Sequence, residues 1–228
     1  MLHGYGASLL EGALLTLAVA LGALAVAFVL GLMGAVAKLS RWRSLQVLAE
    51  VYTTLIRAVP DLVMMLLVFY GGQMAVNKLG ERLGWDYVDI NPFVAGVLTI
   101  GFIFGAYLTE VLRGAFLAVP PGQRDAALAF GMRPGQVLWR IVGPQMLRHA
   151  LPALSNTWLV MIKSTAIVSV IGLSDLMSRA GQAAGATREP FLFYLAAGAM
   201  YLLFTTLSEW GFAWAQRRLD VGVRQVAL

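Results

Sequence analysis

The 228-residue chain has no cysteine and only two histidines, which excludes a disulfide framework, a thiolate metal centre and a histidine-only metal centre. Charge is scarce as well: 13% of the residues are Asp, Glu, Lys or Arg, against about 25% in soluble domains. No Gly-x-x-x-x-Gly-Lys-Ser/Thr segment occurs, so a phosphate cradle of the Walker type is missing. No arrangement of Ser, His and Asp points to a nucleophile. Residues 1–8 lack the basic start and small-residue cleavage site of a signal peptide, and the apolar stretch behind them is too long for one. That stretch is expected to stay in the membrane.

What the chain does have is apolar residues, 59% of the total, and with so little charge they make it a membrane protein. A helix needs about 20 mostly apolar residues to cross the hydrocarbon core, where backbone groups must bond one another. Five stretches meet this requirement. Residues 12–37 carry no charge, and residues 91–112 are clean as far as Thr109. Residues 53–76 contain Arg57, Pro60 and Asp61; residues 150–173 contain Lys163; residues 191–215 contain Glu209. The fold class is therefore all-α, a polytopic membrane protein in one domain. No internal repeat or dividing linker is present, which argues against an ion-driven carrier.

Lysine and arginine in the connecting segments set the orientation. Lys38, Arg41, Arg43, Arg113, Arg124, Arg133, Arg140, Arg148, Arg217, Arg218 and Arg224 fall on one side; Lys78, Arg82, Arg179 and Arg188 fall on the other. The richer side is cytoplasmic, which puts the N-terminus outside and the C-terminus inside. The net charge of +5 is explained by that face rather than by nucleic acid. The outer segments 77–90 and 174–190 are too short for a solute-capturing domain, so soluble capture falls to another protein.

The inner segment 113–149 carries five arginines and reads as two short amphipathic helices. Asp125 is expected in the first turn of a helix ending at Phe130, where the dipole favours a carboxylate. Gly131 suits a left-handed cap and Pro134 the first turn of the next helix. Ala126, Ala127 and Ala129 form a small face open to a close partner. Val137, Leu138 and Ile141 are expected on one apolar face, with Gln136 and Arg140 opposite.

Asp125-Ala-Ala, Gly131, Ile141 and Pro144-Gln145 resemble the EAA loop of ABC importer permeases. Residues 52–62 (with Arg57-Ala-Val-Pro60-Asp61-Leu), 105–114 (with Tyr107, Glu110 and Arg113-Gly114) and 151–165 (with Pro152, Asn156 and Lys163-Ser-Thr165) are similar to the polar amino acid branch. The Val-Pro-Asp-Leu form with Phe69-Tyr70-Gly71 looks closest to permeases for histidine, arginine, lysine and ornithine. The sequence departs from the family pattern at two places: Asp125 replaces the usual Glu, and Gly143 replaces the usual Leu before Pro144.

The resemblance implies a type I importer permease that performs no chemistry itself. ATP and Mg would sit on an ATPase subunit dimer, so this chain would bind no cofactor. A second permease subunit, more often a related chain than an identical one, and a periplasmic amino-acid-binding protein would complete the machine in a bacterial inner membrane. Residues 122–145 would be the coupling loop, with Asp125, Ala126, Ala127, Gly131, Met132 and Arg133 meeting the ATPase. Charges inside spans cost about 2.5–3.5 kcal/mol each on insertion scales, so Arg57, Asp61, Glu110 and Lys163, with Tyr107 and Thr165 beside them, are candidates for the solute site. Two outcomes stay open for them: an Arg57–Asp61 ion pair or a carboxylate facing a cationic solute, and a Glu110–Arg113 pair or contact with the solute's ammonium.

Overall fold

The computed structural model describes residues 2–219; Arg224 and the chain's C-terminus, assigned above to the cytoplasm, lie outside the described residues. Among those described, the regular elements are all helical. Helix α1 (Gly6–Leu39) is followed by α2 (Arg43–Ala58), α3 (Asp61–Leu83) and α4 (Pro92–Leu117). A short helix α5 (Pro121–Ala129) and a single turn α6 (Pro134–Val137) lead through a π-helical turn (Leu138–Val142) into α7 (Gly143–Ser164). A 3-10 turn (Thr165–Ile171), α8 (Leu176–Thr187) and α9 (Pro190–Leu219) complete the chain.

Five helical stretches are long and apolar enough to cross a membrane: Gly6–Leu39, Asp61–Leu83, Pro92–Leu117, Pro134–Ile171 and Pro190–Leu219. The count agrees with the five spans expected from the sequence, but the boundaries move. The 34 residues of α1 make a rod about 50 Å long, well beyond the roughly 30 Å hydrocarbon core. The expected span 53–76 straddles a break. Pro60 removes a donor and forces Val59 into extended backbone (φ −98°, ψ 136°), so α2 stops and α3 restarts with Pro60 as its cap. The expected separate helix 134–145 and span 150–173 are one continuous stretch, because the π-helical turn joins them. The outer segment 174–190, read from sequence as a plain loop, holds α8. Its Leu176, Ala180, Ala183 and Ala184 are buried against Leu9 and Ala13 of α1 and Phe193 and Ala197 of α9.

The core is the α1–α4 pair, the most extensive helix contact in the molecule. Small residues make it possible. A Cβ at Gly31 would lie 2.6 Å from Leu108 Cβ, and one at Gly101 would lie 2.5 Å from Val26 Cβ. With no hydrophobic drive between helices in lipid, such close backbone approach is what holds them together. Around this seam pack Ile100, Ile103, Phe104, Trp158, Met161 and Ile162. The start of α4 is set locally. Asn91 caps it by accepting from Phe93 N–H at 2.8 Å, Pro92 takes its first position, and Gln73 and Asn77 of α3 hold the preceding segment through Val88 and Ile90.

Candidate functional site: a broken helix and a helical elbow

The α2–α3 break stands beside α4 and α7. Tyr52 Oη, two turns before the break, donates to the Phe102 carbonyl at 2.6 Å, which fixes α2 along the middle of α4. Beyond the break, Asp61 opens α3 and is partly buried; its Oδ2 accepts from Ser164 Oγ, at the end of α7, at 3.5 Å. Arg57 lies over the ring of Tyr107 at 5.5 Å, a cation–π contact between α2 and α4. Among the described residues no ion pair joins Arg57 to Asp61: one charge turns to an aromatic face, the other to a hydroxyl. Lys163, the chain neighbour of Ser164, is exposed; the Asp61–Ser164 and Arg57–Tyr107 contacts link α3 to α7 and α2 to α4.

Two residues grouped with these by sequence are elsewhere. Thr165 is buried in the packed interior, where its hydroxyl donates to the Ile162 carbonyl at 2.7 Å and starts the 3-10 turn. Glu110 lies towards the C-terminal end of α4, the end that leads into the elbow. It accepts from Arg113 Nη2 at 2.9 Å and from Lys38 Nζ, which also reaches Glu50 at 2.7 Å. The Lys38 side chain is 5% exposed, so this cluster ties α1, α2 and α4 together just above the elbow. Sequence reading put Lys38 in an inner loop and had no means of seeing the link, since its partners are 12 and 72 residues away.

The elbow follows. Pro121 begins α5, so Asp125 falls in the second turn rather than the first, and its carboxylate is exposed. The alanines do not act as one face. With about 100° between residues, Ala127 points inward to Val119, Val137 and Val142, while Ala126 and Ala129 are exposed. Gly131 takes φ +78° and closes the helix as the sequence suggested. Met132 packs against the same small core. Arg133 is exposed, and its N–H is held by the Gln136 side chain at 3.0 Å.

The apolar face expected from Val137, Leu138 and Ile141 is altered by the π-helical turn. Pro144 offers no N–H to the Arg140 carbonyl, and Gly143 N–H instead reaches back to Leu138, which winds in one extra residue. Val142 is buried and Leu138 is turned outward. The outer surface of the elbow carries Phe130 and Trp139, 90% and 80% exposed, two large apolar groups that sequence reading had passed over. Between α5, α6 and the end of α4 lies an apolar hollow lined by Phe116, Leu128, Val137, Leu138 and Val142 with Arg124 at its rim. The elbow thus presents two exposed aromatics and an apolar hollow on one ordered surface.

The family described as binding-protein-dependent transport system inner membrane component matches residues 27–221. The chain belongs to this family. This inner membrane component is 49% identical over 228 residues to the histidine/lysine/arginine/ornithine transport system permease protein HisQ of Escherichia coli, with 100% of both chains covered. It is 43% identical to the nopaline transport system permease protein NocQ of Agrobacterium fabrum, over 97% of this chain and 94% of that one. Among solved structures, an amino acid ABC transporter with histidines superposes with a TM-score of 0.80 at 31% identity, covering 94% of this chain and 95% of that one. An inward-facing methionine ABC transporter shares the fold at 14% identity and a TM-score of 0.69, with 93% and 94% covered. A multi-pass inner membrane protein acting in binding-protein-dependent transport is thereby shown.

Proposed function

We propose that this chain is the permease subunit of an ATP-driven importer for basic L-amino acids: histidine, arginine, lysine and ornithine. One observation carries the reading: Asp61 places a carboxylate at a broken helix, in a chain 49% identical from end to end to a permease named for those four solutes. Broken helices inside a bundle leave backbone groups free to meet a solute, and a carboxylate there selects cations. In this reading Arg57, held on Tyr107, leaves Asp61 free of an ion pair with it, and Lys163 and Ser164 flank the path. Glu110 and Thr165 support it from behind, through the Lys38 cluster and the packing of α7.

The elbow docks an ATPase subunit dimer through Phe130, Trp139 and the segment Asp125–Arg133; ATP and Mg belong to that partner. A related second permease completes the path, a periplasmic binding protein delivers the solute, and the N-terminus faces the periplasm. The test uses the assembled transporter in liposomes with labelled basic and neutral amino acids. Asp61→Asn removes a charged acceptor worth about 1.5–3 kcal/mol, so arginine uptake and arginine-stimulated ATP hydrolysis should fall roughly tenfold or more while assembly persists. Unchanged arginine and histidine uptake would make Asp61 structural, and an equal response to glutamine would reject the cationic preference.

A further inference from the structure

The end of the molecule opposite the elbow holds a buried polar cluster that the transport reading leaves unused. Asp175 caps α8: its Oδ1 accepts from Ser178 N–H at 2.9 Å, yet the residue is 1% exposed and Oδ2 is buried with no hydrogen-bond partner among the described residues. The Tyr201 hydroxyl of α9 is likewise buried and unpartnered. It stands beside Thr16 of α1 and Thr165 of the 3-10 turn, and within the electrostatic reach of Asp175. Thr16 is pinned in place by accepting from Leu176 N–H at 3.2 Å.

Among the described residues no counter-charge is paired with Asp175. Arg179, one turn along α8, is turned away, its Nε donating to the Ser174 carbonyl and its Nη1 to Ser8 and Glu11. Tyr201 of α9 lies within electrostatic reach of Asp175, with Thr16 of α1 and Thr165 of the 3-10 turn beside its hydroxyl. An isolated buried carboxylate is strongly disfavoured and must be neutralised. A metal cation is opposed by the positive end of α8 directed at Asp175 and by the supply of a single acidic side chain, where oxygen-coordinated cations want several. A proton needs only one carboxyl, and burial outweighs the opposing helix end because protonation removes the charge altogether.

We propose that Asp175 is a proton-binding site, occupied when α8 is seated against α1 and α9, and that losing this proton as the pH rises loosens that seat. The inference is independent of which solute the transporter carries. Burial pushes the Asp175 carboxyl up to about 6, against the lowering effect of the Ser178 and Met177 backbone N–H groups. A folded-state value above the unfolded one means that folding takes up a proton. The resulting stabilisation is complete below the ordinary carboxylate value of 3.8 and is lost as the pH rises through about 6.

The test is a pH titration of the full chain in nanodiscs, followed by infrared difference spectroscopy of the carboxylic-acid carbonyl band and, in parallel, by thermal melting. The wild-type protein should show a protonated buried carboxyl that disappears with a midpoint near 6, and its melting temperature should fall across the same window. Asp175→Asn should abolish that band and flatten the melting curve between pH 3.8 and about 6. A wild-type protein with no such band, a midpoint in the ordinary carboxylate range, or a band that survives in Asp175→Asn overturns the proposal, and the first two need no variant to fold.

Discussion

Gly96 illustrates how much of this molecule is decided by single atoms. A Cβ there would lie 2.7 Å from Val168 Cγ1 and 3.2 Å from Val168 Cγ2, so Gly96→Ala should destabilise the chain by about 1–3 kcal/mol through overpacking. Val168→Ala removes both γ-carbons and should restore most of that loss in the double variant, measured by thermal melting in detergent; strictly additive losses would show that the two positions do not touch. Lys38 is the polar counterpart. It is nearly enclosed, between Glu50 and Glu110, and Lys38→Met leaves two carboxylates on adjacent helices without their shared cation. A loss of about 1.5–3 kcal/mol is expected, smaller at high salt because Glu50 is open to solvent. Neither effect could be anticipated from composition or spacing, since each depends on which residues of another helix arrive opposite.

At the scale of elements, the π-helical turn couples the elbow to α7. A Cβ at position 143 would meet the Leu138 carbonyl oxygen at 2.9 Å, so glycine is the residue that lets the turn close before Pro144. Reading Gly143 only as a departure from a family pattern missed this role. Gly143→Leu should force the turn open and rotate the elbow against the fourth span. The assembled transporter would then keep its basal ATP hydrolysis while solute stimulation drops toward the solute-free rate. Full stimulation in that variant would show that the turn is a passive joint. Gly131→Arg acts at the other end of the elbow, where φ +78° is strained for any side chain; it should block coupling outright.

Across the whole molecule, the absence of cysteine becomes an experimental asset. Single cysteines placed at Gly135, in the elbow, and at Tyr87, in the exposed segment between α3 and α4, should react with a membrane-impermeant maleimide from opposite faces. Labelling of Gly135→Cys only in inside-out vesicles, and of Tyr87→Cys only in intact cells, is expected from the excess of lysine and arginine on the elbow side. The reverse pattern would invert the orientation. The five crossings and the elbow form one body, in which α1 touches α2, α4, α7 and α8. The Lys38 cluster lies at the elbow end of that body and the Asp175 cluster at the other.

Composition and periodicity by themselves settled the solvent this chain lives in, the five helices and the position of the elbow, because crossing hydrocarbon demands long apolar helices whatever they pack against. Gly131 and Pro60 were equally legible, since a left-handed cap and a missing N–H act on the residues next to them. The tertiary structure alone decided the rest. Arg57 turned to Tyr107 instead of Asp61, Glu110 went to Lys38, Ala127 faced inward while Phe130 and Trp139 faced out, and Asp175 was closed off beneath Tyr201. Those outcomes hang on contacts between residues far apart in the chain, and one extra residue wound into a turn was enough to change which side chains met.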